Sequence, residues 1–256
     1  MKILIIGCDG YIGSRLATYL SDGYSVSGID LKTGHDYRVL PESFFNRHEA
    51  IIWVAGHSSV KACDDDPFGA ISNNFCGLVD LASRLKGQPL IYASSSSVYS
   101  ENRGNIYDFT KAAVDEAMRL TYANHYALRF GTVCGYSSMM RFDTMLNAMV
   151  HSALTKGIIE MRNPRVRRPL LGIEDLCAAV AAILEDDIPM GPQNLCSMNT
   201  TVAEVADMVS TMTGSPIKVL STTPAYDFTM KPSPWFTPRE TLATMINSLV
   251  RHHNEL

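Results

Sequence analysis

Tyr107 and Lys111 stand four residues apart in YDFTK, so a helix through them sets phenol and ammonium on one face, one turn apart. A phenol ordinarily loses its proton near pH 10, and bringing that to neutrality needs about 4 kcal/mol of preferential stabilisation of the phenolate. A neighbouring cation supplies part of it. Such a pair can take a hydroxyl proton and return it. Just upstream, YASSSSVYS (92–100) concentrates hydroxyls that could donate to an oxygen on which charge develops. Taken alone, a lysine four residues after a tyrosine more often only solubilises a helix face, so its weight depends on what surrounds it.

The N-terminus provides that context. KILII reads as a short apolar strand that stops at Gly7, and Ile12, Leu16, Ala17 and Leu20 recur at helical spacing. Between them lies Gly7-Cys8-Asp9-Gly10-Tyr11-Ile12-Gly13. The missing Cβ atoms allow a tight turn at Gly7, close approach of a pyrophosphate at Gly10 and close helix-to-sheet packing at Gly13. Backbone N–H groups at the start of the helix, around Tyr11 and Ile12, then face the anion. Asp30 ends the next strand, YSVSGI, 17 residues beyond Gly13. There its carboxylate can accept from an adenosine ribose and repel a 2′-phosphate, which favours NAD over NADP. The positive ring of the oxidised cofactor would join Lys111 in stabilising the phenolate.

These groups need a scaffold. Further strands are expected at AIIWVAG (50–56), PLIYAS (89–94) and YALRFG, with a helix ending near Leu85 and another from Tyr107 to about Tyr122. Short apolar strands alternating with helices imply an α/β fold with a Rossmann-type, doubly wound parallel sheet. The serine cluster then falls at the C-terminal edge of the sheet, where such folds bind ligands. Helical spacing returns at 143–155, 175–184 and 201–212, and prolines at 216, 224, 232, 234 and 238 mark a small, less regular C-terminal substrate lobe closed by a helix around 239–251. We therefore expect residues 1–160 to form most of a dinucleotide domain and 161–256 most of the substrate lobe, with crossover of the chain between them.

Composition narrows the classes. At 256 residues the chain can bury a sizeable core, and a formal charge of -4 argues against a polyanion-binding surface. Six scattered cysteines without CxxC spacing suit buried hydrophobes in a reducing compartment, and no apolar run is long enough to span a bilayer. A cytoplasmic protein with no metal, nucleic-acid or membrane role is the expectation. Asp36, in the following loop, is a candidate neighbour of adenine, and an ordinary loop aspartate explains it equally.

The ordered segments GCDGYIG, AGHSSVKACDDDP, NNFCG, SSSSVYS, YDFTK, LRFGTVCG and RRPLLGIEDL resemble the extended short-chain dehydrogenase/reductase superfamily. The resemblance is to its NAD-dependent sugar-nucleotide epimerase/dehydratase branch and runs from Lys2 to about Leu249. It implies that a Ser or Thr three residues before Val98-Tyr99 joins the tyrosine and lysine, which selects Ser95, flanked by Ser94 and Ser96. It implies that Asn74 buttresses the site, that Ala55 and Gly56 pass the cofactor, and that the backbone of Thr132 and Val133 approaches the carboxamide. Arg168 matches an arginine that contacts a nucleotide diphosphate, while Arg141, Asn147 and Ser96 fall where substrate contacts arise. Asp175 would anchor the helix that follows it. A homodimer built through the helix after Asn74 and the Tyr107 helix is also implied.

The chain departs from that pattern at Ser96-Ser97, where dehydratases carry Asp-Glu, and hydroxyls are poor substitutes for a charged acid and base. Only 12 residues separate Ser95 from Tyr107, so ENRGNI makes an abbreviated rim, and Tyr136 stands where proline is common. The implied activity is epimerisation of a nucleotide-diphosphate sugar through a transient keto-sugar, most often at C4. Net reduction or oxidation of such a sugar is the alternative, and a noncatalytic dinucleotide sensor a further one.

Overall fold

The computed structural model describes residues 1–99, 104–223 and 227–253. Ser100, Glu101, Asn102 and Arg103, which include the first half of the expected rim, and Pro224 of the proline-rich lobe lie outside the described residues. The elements run β1 (Lys2–Ile6), α1 (Tyr11–Leu20), β2 (Ser25–Ile29), α2 (Glu42–Phe45), β3 (Ala50–Trp53), α3 (Val60–Asp65), α4 (Pro67–Ile71), α5 (Gly77–Ser83), β4 (Leu90–Ala93), α6 (Ile106–Thr121) and β5 (His125–Phe130). They continue with β6 (Thr132–Cys134), α7 (Met145–Lys156), β7 (Ile159–Arg162), β8 (Arg167–Gly172), α8 (Ile173–Glu185), β9 (Gly191–Leu195), β10 (Met198–Thr201), α9 (Val202–Thr213), β11 (Ile217–Ser221) and α10 (Leu242–Arg251).

The chain divides into two compact units, Met1–Arg129 with Val180–Gln193, and Phe130–Ala179 with Asn194–Leu256. This division lies at residue 129, and the chain crosses between the units twice more. The central six-stranded parallel sheet has the order β2-β1-β3-β4-β5-β9. Alternation along its strands sends Leu4, Ile6, Ile51, Trp53, Leu90 and Tyr92 to one face, where Phe45, Leu78, Leu81, Val114 and Met118 pack against them. Ile3, Ile5, Ile52 and Ile91, at the intervening positions, are fully buried too. Strands buried on both faces explain the continuous apolar runs of the sequence.

Two elements differ from the sequence expectation. The strand expected over 50–56 stops at Trp53, and by Gly56 the chain has turned, with φ +122 and room for no Cβ, which would lie 2.2 Å from Asn74 Oδ1. The helix expected to end near Leu85 is α5, which ends at Ser83, and the chain before it is broken into shorter pieces. Asp66 caps α4 by accepting from Gly69 N–H, Pro67 starts it, and a π-helical turn at Ser72–Cys76 leads into α5. Proline cannot continue a preceding helix without losing a hydrogen bond.

In the second unit β8 lies between β10, antiparallel, and β6, parallel, while β7 pairs with β11. Leu146, Met149, Val150 and Ala153 of α7 pack with Val205 and Val209 of α9 and Met245, Ile246 and Leu249 of α10. A carboxylate exchange fastens this unit. Glu240 accepts from the N–H groups of Glu174 (2.9 Å) and Asp175 (3.1 Å) at the start of α8, and Asp175 accepts from those of Arg239 (2.8 Å) and Glu240 (3.1 Å). Asp175 therefore anchors not only its own helix but also the segment leading to α10.

Burial, followed by the repulsion of Asp175 and Glu174, pushes the Glu240 carboxyl up to about 7, against the two helix N–H groups that lower it. A carboxyl with a higher folded pKa holds its proton longer when folded, so unfolding free energy falls as pH rises from about 4.5 to about 7. Allowing for partial exposure, this dependence is roughly 1–3 kcal/mol. Glu240→Gln keeps an acceptor for both N–H groups. Chemical denaturation from pH 5 to 8 is expected to show a shallower pH dependence for it, with the variant more stable than wild type at pH 8.

Candidate functional site

The glycine turn has the shape expected of an anion cradle. Gly7 takes φ +92, and a Cβ on it would lie 2.6 Å from Ala55 N, so the turn rests directly on the chain leaving β3. On Gly13 a Cβ would lie 2.0 Å from Gly7 O, which is why α1 can sit so close behind the turn. Gly10 is different: its Cβ would meet only Gly7 O, at 3.3 Å. Gly10 caps α1 without a side chain, and Tyr11 and Ile12 form the first helical residues.

Asp30 accepts from Asp9 N–H at 3.0 Å and Lys32 N–H at 2.9 Å, which fixes its carboxylate at the C-terminal end of β2. Lys32 Nζ donates to Asp9 O at 3.1 Å and Thr33 Oγ1 to Asp9 Oδ2 at 3.0 Å, drawing this loop against the turn. Cys8, Asp9 and Asp30 lie close together, and burial followed by the charge of Asp9 pushes the Cys8 thiol up to about 11, away from thiolate chemistry. Asp36 is committed to Arg38, at 2.7 Å, whose hydrogen bonds hold its carboxyl below the ordinary range. A glycine cradle that side chains would fill, followed by a fixed carboxylate one strand away, fits a dinucleotide with an unphosphorylated ribose.

Asn74 joins this cradle to the helix of the tyrosine. Its Oδ1 accepts from His57 N–H at 2.7 Å, and its Nδ2 donates to His57 O at 3.0 Å and Thr110 Oγ1 at 3.3 Å. It is buried and ties Gly56-His57 to α6. Asn105 starts α6 by accepting from Asp108 N–H, which puts Tyr107 in the first turn and Lys111 one turn later. Lys111 is buried, and its Nζ donates to Ala93 O, the last residue of β4, at 2.8 Å. That ammonium lies 5.8 Å from the centre of the Tyr107 ring. Burial lowers Lys111 to about 8, with the charges of Asp115 and Cys63 opposing the shift.

The serines following β4 differ from one another. Ser95 Oγ accepts from Ser97 N–H at 3.1 Å, leaving its own proton to donate. Ser94 Oγ and Ser97 Oγ are buried and have no hydrogen-bond partner among the described residues, while Ser96 is half-buried. Tyr99 stacks under Arg129 and accepts from its Nη1 at 3.0 Å, so it belongs to the packing of this edge.

The second unit carries the other expected positions. Thr132 and Val133 lie in β6, paired with Leu170 and Leu171. Arg141 pairs with Asp143 at 2.5 Å. Asn147, buried in α7, accepts from Gly135 N–H at 3.1 Å and donates to Arg141 O at 3.0 Å, so it braces the chain between β6 and α7. Arg168, in β8, donates to Arg167 O at 2.9 Å, while Arg167 pairs with Asp227 at 2.7 Å. Sequence reasoning missed Asp115, Arg129 and Glu240, whose partners lie far away in the chain.

Gly10 and Gly13 separate binding from folding. Gly13→Ala should lose about 1–3 kcal/mol of stability through the overpacked turn. Gly10→Ala should fold with nearly wild-type stability but bind NAD about tenfold more weakly, a difference of about 1.4 kcal/mol. Thermal unfolding and calorimetric titration with NAD check the two halves.

Residues 3–193 match the NAD dependent epimerase/dehydratase family. The chain is 27% identical over 235 residues to Protein CapI of Staphylococcus aureus, covering 72% of this chain and 70% of that protein. Its fold superposes on UDP-glucuronic acid 4-epimerase from Bacillus cereus, solved with UDP-glucuronic acid and NAD, with a TM-score of 0.84, 19% identity and coverage of 100% and 99% of the two chains. It also superposes on TunA, an NAD dependent NDP-hexosamine 5,6-dehydratase involved in tunicamycin biosynthesis, with a TM-score of 0.85, 17% identity and coverage of 100% and 98%. With the match covering well over half its length, this chain belongs to the NAD dependent epimerase/dehydratase family and is an NAD-dependent enzyme.

Proposed function

We propose that this protein epimerises a nucleotide-diphosphate sugar, at C4, through a transient keto-sugar. The observation that carries the reading is the buried Lys111 ammonium, anchored on Ala93 O beside the Tyr107 ring. When bound, NAD supplies a reversible hydride acceptor. Gly7, Gly10 and Gly13 would accommodate its pyrophosphate, the N-terminus of α1 would face that charge, and Asp30 would accept from its ribose, with Thr132 and Val133 offering backbone groups.

Tyr107 takes the proton of the reacting hydroxyl and later returns it, while Lys111 stabilises the phenolate between those events. Ser95 donates to the sugar oxygen as it gains carbonyl character. Ser96 and Ser97 supply no charged acid or base, which favours epimerisation over elimination. Arg168 and Arg141 are the cations proposed for the diphosphate, a role suited to the guanidinium fork. Asn147 then acts by holding the backbone of Arg141. The likeness to a 4-epimerase supports the choice of C4, and the same family resemblance supports a homodimer.

NMR analysis of UDP-, dTDP-, GDP- and CDP-sugars, with and without added NAD(H), tests the reading. Inversion at one carbon without net cofactor consumption is expected. Stoichiometric consumption would instead make the protein a reductase or dehydrogenase, and tight NAD binding with no conversion of any activated sugar would leave it a sensor. Tyr107→Phe should lower turnover about 10²- to 10⁴-fold while NAD affinity stays near wild type.

A further inference from the structure

Asp115 lies four residues beyond Lys111 on α6, so Tyr107, Lys111 and Asp115 follow one another along a single helix face. A carboxylate at this depth, 7% exposed, needs partners to replace its water. It accepts from Tyr92 OH of β4 at 3.1 Å and from Arg129 Nε of β5 at 2.7 Å. Arg129 in turn donates to Tyr99 OH, two positions beyond the last serine of the cluster. Asp115 thus gathers β4, β5 and α6 one turn behind the lysine.

We infer that Asp115 is a positioning residue for the Tyr107–Lys111 pair, holding the buried Lys111 as a cation and fixing α6 against the ends of β4 and β5. This rests on the base proposed above and extends it to a residue that need not touch substrate or cofactor. An ammonium out of water is stable only if hydrogen bonds and opposite charge replace its hydration. Ala93 O supplies one acceptor. The groups whose charge acts on Lys111 are Asp115 on its own helix and Cys63 from α3, with Tyr107 on the other side along α6. Cys63 is itself pushed up by burial, so its thiol stays neutral through the neutral pH range. Asp115 is the anion that remains. Arg129 offsets part of its field, and Tyr92, also pushed up by burial, stays a neutral donor.

The sign follows from these charges. Removing the Asp115 charge leaves desolvation less opposed, so Lys111 should lose its proton at a lower pH. ¹³C-lysine NMR of the full chain, with the Lys111 resonance assigned by its loss in Lys111→Met, reads this without any substrate. Asp115→Asn should move the Lys111 midpoint from about 8 downward by about one unit. Asp115→Glu, which keeps the charge, should restore most of it. If Asp115→Asn fails to fold because Arg129 is stranded, the double variant Asp115→Asn/Arg129→Met removes both charges, and a downward move is still expected. An unchanged midpoint in a folded variant would overturn the inference. Absence of sugar-nucleotide turnover in the wild type would count against the proposed function, whereas the lysine titration reads the positioning role separately.

Discussion

Burying an ammonium group costs several kcal/mol unless the fold replaces the water it loses. Lys111 meets that demand with the carbonyl of Ala93, and the contact governs the local architecture. It holds α6 to the end of β4, where the serines begin. Because Tyr107 is one turn before Lys111, the same contact sets the phenol beside the ammonium. The Asn105 cap fixes where the helix starts, and Asn74 links its Thr110 to the loop that leaves β3 beside the glycine turn. The glycine turn and the Tyr107 helix are thereby attached to one sheet edge through a short chain of contacts and hydrogen bonds.

Local signals made much of this legible in the sequence. KILII, the glycine triplet and Asp30 announced their strand, turn and second strand, because each depends on its own backbone and nearest neighbours. The four-residue step from Tyr107 to Lys111 fixed their shared face for the same reason. The broken helix before β4 was less legible, since its interruption depends on Asp66 and Pro67 acting together with the wide turn that places Asn74. Asp115 escaped notice because a carboxylate in a helix normally reads as a solvated residue. Only the fold brings Tyr92 and Arg129 to it.

The second unit shows the same limit. Asp175 and Glu240 exchange backbone hydrogen bonds across 65 residues of sequence, and no periodicity marks that pairing. Asn147, expected near substrate, holds backbone at Gly135 and Arg141 through its amide. Arg141 is paired with Asp143 and Arg167 with Asp227, while Arg168 donates to the backbone of Arg167. Specificity for a particular nucleotide and sugar depends on such side chains and on loop shape, which short motifs do not encode.

The proposed role of Tyr107 as proton carrier requires Lys111 to stabilise its phenolate. Phenolate absorbance followed through a pH titration of the NAD-loaded protein tests this most directly. One tyrosine should ionise near neutrality, vanish from the titration in Tyr107→Phe and move to higher pH in Lys111→Met. If no phenol ionises below the ordinary tyrosine range, or if the early one survives Tyr107→Phe, Tyr107 is not the proton carrier.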